Sequence, residues 1–201
     1  MDNALYSYTL SKGYFKVYSS RPDFAFHEVK QVHGIQCVYP QPTITEADAL
    51  IQVSTDPTPM LIKTADCLPI IFEGVEENIF LHAGWRGLAL GILEIPEIKK
   101  IKPQSCFIGP AIHSCCFEVG SDFKELFPQA PLISRHDKFY ADLINFSIEK
   151  ITTLFPDIQI NDSGICTMCN ELFHSYRRNK TTHRNFNVYF SKDDEWNQKN
   201  L

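Results

Sequence analysis

The chain has 201 residues, of which 44 % are hydrophobic and 21 % are charged. These values are ordinary for a soluble globular protein, and the length suits a single domain spanning residues 1–201. The net charge is −5, and the Lys and Arg residues are scattered, which argues against nucleic acid as a partner. We find neither an apolar run of membrane-span length nor a secretory signal pattern, so we expect a cytoplasmic protein with no membrane partner.

Strand-like runs begin the chain, at YSYTL and YFKVYS, and the segment KQVHGIQCVYP follows them. In this segment His33 precedes Gly34 and an alternating apolar run, which predicts that His33 lies at the mouth of a strand. A surface or core role is the simplest interpretation of one histidine taken alone.

The segment from Lys63 to Gly87 reads KTADCLPIIFEGVEENIFLHAGWRG and holds the most chemistry. Its cysteine, Cys67, is separated from a histidine, His82, by two apolar runs that are typical of neighbouring strands. Pro69 predicts an edge strand or a bend after the cysteine. Asp66, just before the cysteine, is expected either to orient a ligand or an imidazole, or simply to cap a turn.

The sequence after His82 predicts a glycine turn and then a helix from about Trp85 to Leu93, because apolar residues recur there at helical spacing. Backbone N–H groups at such a helix start attract anions. Arg86, in the first turn, could add a fork of guanidinium donors.

Two later segments predict regular structure: a strand over 105–108 and an amphipathic helix over 142–155, which Pro156 ends. Between them lie the adjacent residues Cys115 and Cys116. In an extended chain these two side chains point to opposite sides, so we expect at most one of them to face any shared site.

The last third of the chain contains a Cys-x-x-Cys pair, Cys166 and Cys169, without a second pair of this kind. This composition argues against a structural zinc site built from two such pairs. The seven cysteines are expected to be free thiols, since the chain is too long to need disulfide stapling. Farther on, Tyr176 and Arg177 belong to a cluster of donors that suits an anionic or sugar-bearing ligand, or a solvated basic turn. Residues 185–190 predict a closing strand, followed by a frayed polar tail.

His33, Cys67 and His82 each lie beside a predicted strand end and could meet at the rim of one sheet. Two histidines and one cysteine would hold zinc by three ligands and leave a fourth position open, as catalytic zinc sites do. Alternatively, Cys67 is a nucleophile and His82 is its base, with no metal. The spacing does not separate these two hypotheses.

A resemblance favours the metal. The chain resembles the YfiH-like "laccase-domain" family, now regarded as purine nucleoside phosphorylases. The resemblance is carried by six segments: QVHG (31–34), EADALI (46–51), TADCLPI (64–70), HAGWRG (82–87), IGPAIHSCCFEVG (108–120) and CTMCNELFHSYRR (166–178). It implies an α+β fold, a layered sandwich with a mixed sheet, related to bacterial cysteine deamidase toxins.

The resemblance also implies the site and its chemistry. The family's metal ligands fall here on His33, Cys67 and His82, with zinc as the expected metal. The implied activity is phosphorolysis of adenosine, inosine, guanosine and S-methyl-5′-thioadenosine, with adenosine deamination as a second activity. Purine nucleosides and phosphate are then the expected small-molecule partners. Arg86 is the first candidate for binding phosphate, and Tyr176 and Arg177 are further candidates.

The older polyphenol-oxidase description of the family can be tested on the histidines. Multicopper clusters use His-x-His pairs, and none of the seven histidines forms one. Two histidines and a cysteine could hold a single copper ion. The chain also departs from the family: about thirty residues precede His33, without the usual Ser-Thr-Arg and Gly-Gly stretch, and Cys37 lies near a position where some members are basic.

Two other classes of function remain open. A metal-free cysteine hydrolase or deamidase would stay active in strong chelator and lose its activity in a Cys67→Ser variant. A non-catalytic partner-binding protein would show neither nucleoside turnover nor stoichiometric metal.

Overall fold

Two stacked β-sheets, with helices against one of them, form the core of the protein in a computed structural model that describes residues 3–192. The strands are β1 (Tyr6–Thr9), β2 (Gly13–Tyr18), β3 (His27–Glu28), β4 (Cys37–Val38), β5 (Ala49–Val53), β6 (Met60–Thr64), β7 (Leu68–Glu73), β8 (Glu77–Ala83), β9 (Ser105–Ile108), β10 (Glu118–Val119), β11 (Leu132–Arg135), β12 (Lys138–Ala141), β13 (Gln159–Asp162) and β14 (Asn185–Ser191). The helices are α1 (Trp85–Ala89), a 3-10 turn (Ile92–Glu94), α2 (Pro96–Lys100), α3 (Phe123–Leu126), α4 (Leu143–Leu154) and α5 (Tyr176–Asn179).

The larger sheet has six strands in the order β13-β9-β7-β8-β5-β4, and the second has five in the order β1-β2-β14-β6-β3. Both sheets are mixed. In the larger one β13 pairs with β9 in parallel and β7 pairs with β8 antiparallel, and in the second β3 pairs with β6 in parallel and β14 pairs with β6 antiparallel. A small third sheet has the order β10-β12-β11. This arrangement confirms the α+β fold with mixed sheets that the sequence predicted.

The six-stranded sheet is the middle layer, because alternate residues of its strands belong to different cores. In β8, Ile79 and Leu81 pack with the helices, whereas Phe80 packs with the five-stranded sheet. The same division separates Ile70 from Ile71 in β7. A strand that is covered on both faces needs a continuous apolar run rather than an alternating one, and LPII is such a run.

Helix α4 begins and ends within one residue of its predicted limits. The side chain of Asp142 accepts a hydrogen bond from the Asn145 amide at 3.0 Å, which caps the first turn. Buried Phe146 and Ile151 hold the helix against the six-stranded sheet. Its apolar stripe therefore serves packing, as expected.

Two sequence predictions about the central segment are wrong. Pro69 lies in β7, an interior strand that β8 and β9 flank, rather than in an edge strand. The sheet tolerates this proline because its carbonyl accepts from the amide of Gly109, which follows the last residue of β9. Its nitrogen faces the same way, so the missing N–H falls beyond the β7–β9 ladder. The helix predicted over residues 85–93 is divided, since Gly91 adopts a φ of 90° between α1 and the 3-10 turn.

Strand β14 closes the five-stranded sheet from its middle, between β2 and β6, and confirms the predicted closing strand. The polar tail lies outside the described residues. Within residues 3–192, no helix combines the length and the apolar composition needed to cross a membrane.

Candidate metal and active site

One edge of the six-stranded sheet gathers the residues of the site. At this edge β8 ends on His82 and Ala83, β7 begins after Cys67, and β5 begins after Asp48. Because β5 and β8 are antiparallel, the register that pairs Ala49 with Leu81 places Asp48 opposite His82. The His82 amide donates to the Asp48 carbonyl at 2.7 Å.

The Asp48 carboxylate organises this edge. Its Oδ1 accepts from His82 Nδ1 at 2.7 Å and from the His33 amide at 3.0 Å, and its Oδ2 accepts from the amides of Val32 and Gly34 at 3.2 and 2.6 Å. Burial would raise the pKa of Asp48, but these donors outweigh burial and keep it below its usual value. One buried carboxylate therefore fixes both histidine-bearing segments.

His33, Cys67 and His82 meet beside this carboxylate. The ligand atoms of the three side chains all lie within 4.8 Å of one another, and the two imidazole rings are 4.7 Å apart at 77°. Exposure falls from the exposed His33 through the half-buried Cys67 to His82, which is 3 % exposed. The cluster thus opens to solvent on the His33 side.

Electrostatics within the cluster favour a thiolate at Cys67. Burial alone would raise the pKa of Cys67, but the two imidazoles outweigh burial and lower it to about 6. Burial would lower the pKa of His82, whereas Cys67 and Asp48 raise it to about 9. A thiolate beside imidazoles suits both metal binding and nucleophilic attack.

Gly84 keeps the space beside the cluster clear. A Cβ at this position would lie 3.0 Å from His33 Cδ2 and 3.1 Å from Cys67 Sγ. A larger residue there would press on two of the three side chains, which explains why residue 84 is glycine.

The donor set fits a soft divalent metal. Asp48 occupies Nδ1 of His82 and leaves Nε2 as the ring atom available to a metal, an arrangement that is usual for metal-bound histidines. Two imidazoles and a thiolate suit zinc or a single copper ion, and three ligands leave one position open. The three residues could therefore hold a metal ion.

A family model described as multi-copper polyphenol oxidoreductase laccase matches residues 16–191. The chain belongs to this laccase-domain family. It is 34 % identical over 170 residues to a Shigella flexneri protein named purine nucleoside phosphorylase YfiH, covering 78 % of this chain and 70 % of the relative. An Aquifex aeolicus protein named purine nucleoside phosphorylase is 35 % identical, and the alignment covers 61 % of each chain. A crystal structure of a Neisseria meningitidis protein superposes with a TM-score of 0.72 at 27 % identity, covering 83 % of this chain and 74 % of that one.

The copper cluster in the family's description does not follow from these residues. Within residues 3–192, only two groups bring three or more His, Cys, Asp or Glu ligand atoms within 4.8 Å of one another. One is the cluster just described, and the other consists of four cysteines. Two histidines are too few for a multicopper cluster.

The carboxylate that contacts the histidine segments of this laccase-domain site is Asp48. Of the two roles that the sequence left open for Asp66, orienting a ligand or capping a turn, the orienting role is wrong. Asp66 Oδ1 accepts from Thr167 Oγ1 at 2.8 Å, and its Oδ2 accepts from the Arg177 amide at 2.6 Å. Its backbone lies in the left-handed region at a φ of 90°. Asp66 therefore ties the turn before Cys67 to the C-terminal segments.

The predicted phosphate ligands lie in different surroundings. Arg86 is exposed, and its guanidinium stacks 4.5 Å from the centre of the Trp85 ring. Tyr176 is 50 % exposed. The Arg177 guanidinium donates to the Glu118 carbonyl and lies 5.0 Å from the Phe117 ring, so part of its donor capacity is already used.

The basic turn at 175–178 is partly structural. Ser175 caps α5 by accepting from the Arg178 amide at 3.2 Å, and the Arg178 guanidinium donates to the carbonyls of Thr167, Met168 and Phe173 at 2.5 to 3.0 Å. Arg178 is thus occupied with holding two loops together, which leaves Arg86 as the more available guanidinium.

Proposed function

We propose that the protein is a zinc-dependent purine nucleoside phosphorylase of the cytoplasm. Its substrates would be adenosine, inosine, guanosine and S-methyl-5′-thioadenosine, and adenosine deamination would be a second activity. The observation that carries the proposal is the cluster of His33, Cys67 and His82 at a solvent-open sheet edge. The names of the relatives from Shigella flexneri and Aquifex aeolicus support the phosphorylase activity.

His33, Cys67 and His82 would be the zinc ligands. Zinc held by three protein ligands acts as a Lewis acid toward an oxygen atom at its open position. Cys67 would bind as a thiolate and the histidines as neutral imidazoles. Asp48 would keep the Nδ1 proton of His82 in place, which presents the Nε2 lone pair to the metal.

Phosphorolysis replaces the bond between ribose C1′ and the purine nitrogen by a bond from C1′ to a phosphate oxygen, and the departing base takes up a proton. The reaction therefore needs an anion site beside the metal ligands. Arg86 is our first candidate for that site, because its guanidinium is exposed and no acidic side chain among the described residues pairs with it in a salt bridge. Tyr176 and Arg177 would contact the same substrate from the loop that Asp66 anchors.

Val32 and Ile35 offer apolar surface next to His33. Their side chains are 46 % and 41 % exposed, although apolar residues of this kind are usually buried. A purine ring could cover this surface while its ribose faces the metal ligands.

The decisive experiment is product analysis. Protein of measured zinc content is incubated with adenosine in the presence and absence of phosphate, and adenine, inosine and hypoxanthine are separated. We expect adenine and ribose 1-phosphate only with phosphate, and inosine in both reactions. Absence of adenine from the phosphate reaction of zinc-loaded protein would refute the phosphorylase, whereas absence of both inosine and hypoxanthine would refute the deaminase.

A metal-free cysteine hydrolase or deamidase is the second candidate. It is favoured by the Cys67 thiol, whose pKa is about 6 because two imidazoles offset the effect of burial. In this mechanism Cys67 attacks and His82 moves the proton. Activity that survives metal removal and disappears in Cys67→Ser would support this candidate, and activity that returns only with zinc would exclude it.

A further inference from the structure

Four cysteines form a second cluster away from the His33–Cys67–His82 site. The Sγ atoms of Cys115, Cys116, Cys166 and Cys169 all lie within 4.8 Å of one another. Cys169 Sγ is 3.2 Å from Cys116 Sγ and 3.6 Å from Cys115 Sγ. We propose that these four thiolates bind a structural zinc ion, which we call the four-cysteine site.

The spacing of the sulfur atoms fits a tetrahedral ion. Zinc–sulfur bonds of about 2.3 Å place the sulfurs of a tetrahedral site about 3.8 Å apart. The two separations of 3.2 and 3.6 Å lie close to this value, and the others do not exceed 4.8 Å, so small side-chain rotations would complete the site. A disulfide needs about 2.05 Å between two sulfurs and would leave the other two thiols unused.

The two adjacent cysteines can share one site because the chain is not extended there. Residues 114–116 form a turn, in which the amide of Cys116 donates to the His113 carbonyl at 2.9 Å. The turn directs both thiols toward Cys169. The prediction that at most one of the pair faces a shared site is therefore wrong.

The Cys-x-x-Cys turn is shaped to hold a thiolate. The amide of His113 donates to Cys166 Sγ at 3.5 Å. Such amides stabilise negative charge on sulfur before any ion binds. Cys115 and Cys169 are exposed, which gives an ion a route into the cluster.

A zinc ion at this position would join two segments that serve the candidate active site. The segment of Cys115 and Cys116 continues to Glu118, whose carbonyl accepts from Arg177. The turn between Cys166 and Cys169 contains Thr167, which donates to Asp66. The ion would thus secure the loops around the metal-binding edge while taking no part in the reaction.

Metal content tests the proposal. Protein purified under reducing conditions is equilibrated with a buffer that holds the free zinc concentration constant, and excess zinc is removed. Bound zinc is then measured by mass spectrometry, and the protein concentration is measured by amino-acid analysis. We expect about two zinc ions per wild-type chain and about one in Cys169→Ser, since a four-thiolate site loses much of its affinity with one ligand. Cys37→Ser, a half-buried cysteine outside both clusters, is the matched control and should keep about two ions.

A cobalt titration tests the four-cysteine site independently of the proposed function. It also remains informative if Cys169→Ser does not fold. Cys67→Ser lacks a ligand of the active site but keeps the four-cysteine site intact. Titration of this variant with Co²⁺ should give an intense thiolate-to-cobalt charge-transfer band at one ion per chain, which Zn²⁺ then abolishes. No such band, zinc in Cys169→Ser equal to that of the wild type, or a Cys116–Cys169 disulfide in freshly reduced protein would each overturn the proposal.

Discussion

The two sulfur-containing clusters of this protein differ in the number of possible ligands and in the groups that hold those ligands in place. The His33–Cys67–His82 site offers three ligands from three separated segments, and a buried carboxylate holds its inner histidine. The four-cysteine site offers four ligands from two turns. Three ligands leave a position open to substrate, whereas four close the coordination sphere.

The two clusters would also differ in formal charge with zinc bound. Zinc on one thiolate and two neutral imidazoles keeps a formal positive charge and can polarise an oxygen atom. Zinc on four thiolates carries a formal negative charge and has little Lewis acidity left. The comparison teaches that the ligand count and the outer carboxylate, rather than the presence of cysteine, distinguish a candidate catalytic site from a structural one.

The largest effect is expected from Cys67→Ala. Without the thiolate, the site loses its one anionic ligand, and adenosine phosphorolysis should fall by about a thousandfold or more. Initial rates with adenosine and phosphate provide the measurement, and Cys37→Ala is the control. If Cys67→Ala keeps phosphorolysis within tenfold of wild type, the His33–Cys67–His82 site is not the catalytic site that distinguishes it from the four-cysteine site.

Asp48→Asn tests the outer carboxylate. An amide is a weaker partner for His82 Nδ1 and cannot accept all of the donors that converge on Asp48. We expect zinc affinity at this site to fall by about 10–100-fold, as for other outer-shell carboxylates. Competition with a chromophoric chelator measures the loss.

A matched control exists on the surface. Asp56 accepts from His27 Nε2 at 2.8 Å, so Asp56→Asn breaks a carboxylate–histidine pair that belongs to neither cluster. It should leave zinc affinity unchanged. Equal affinity in Asp48→Asn and wild type would show that Asp48 does not support the metal site.

Arg86→Ala tests whether Arg86 binds phosphate beside the His33–Cys67–His82 site. Loss of one charge-assisted contact should lower phosphorolysis by about tenfold or more. Deamination, which uses no phosphate, should change much less. The ratio of adenine to the sum of inosine and hypoxanthine formed from adenosine reports both activities, and a saturation curve for phosphate shows whether phosphate binding is affected.

Arg21→Ala is the matched control for Arg86, because Arg21 is also exposed and stacks on an aromatic ring, at 4.6 Å from the centre of Phe26. It should leave the product ratio at the wild-type value. A parallel fall of both activities in Arg86→Ala would contradict the assignment of phosphate to this residue.

The smallest effect on turnover is expected from Cys169→Ser. If the four-cysteine site is structural, kcat below the melting transition should stay within about threefold of wild type, while Tm falls by about 5–10 °C. Calorimetry with and without zinc measures the shift. A loss of turnover as large as that of Cys67→Ala, with an unchanged Tm, would assign the four cysteines to the reaction instead.

The sequence predicts the limits of an element correctly where a single apolar run or stripe defines that element. Strand β9 has the predicted limits, and α4 lies within one residue of them, because an apolar run or stripe and a cap define each element. The convergence of His33, Cys67 and His82 was also expected, from strand ends and the family resemblance. That the three bind zinc stays a prediction.

The features that the sequence missed depend on pairing across the fold. Asp48 precedes His82 by 34 residues, and only the register of β5 against β8 brings the two side chains together. A carboxylate directly before an apolar strand was the available signal. For Cys115 and Cys116 the sequence predicts opposite side-chain directions, because it treats the two residues as extended. The hydrogen bond from the Cys116 amide to the His113 carbonyl makes a turn there instead, and hydrophobic periodicity does not reveal such a turn.

The position of β14 has a consequence for biosynthesis. This strand contains residues 185–191 and fills the gap between β2 and β6. Until a ribosome has released residues 185–191, β2 and β6 each carry an unpaired edge that could pair with another nascent chain. The six-stranded sheet, which carries the candidate active site, has all its strands by residue 162. Premature termination before β14 would therefore yield a chain that has every metal-ligand candidate and is nevertheless prone to aggregate.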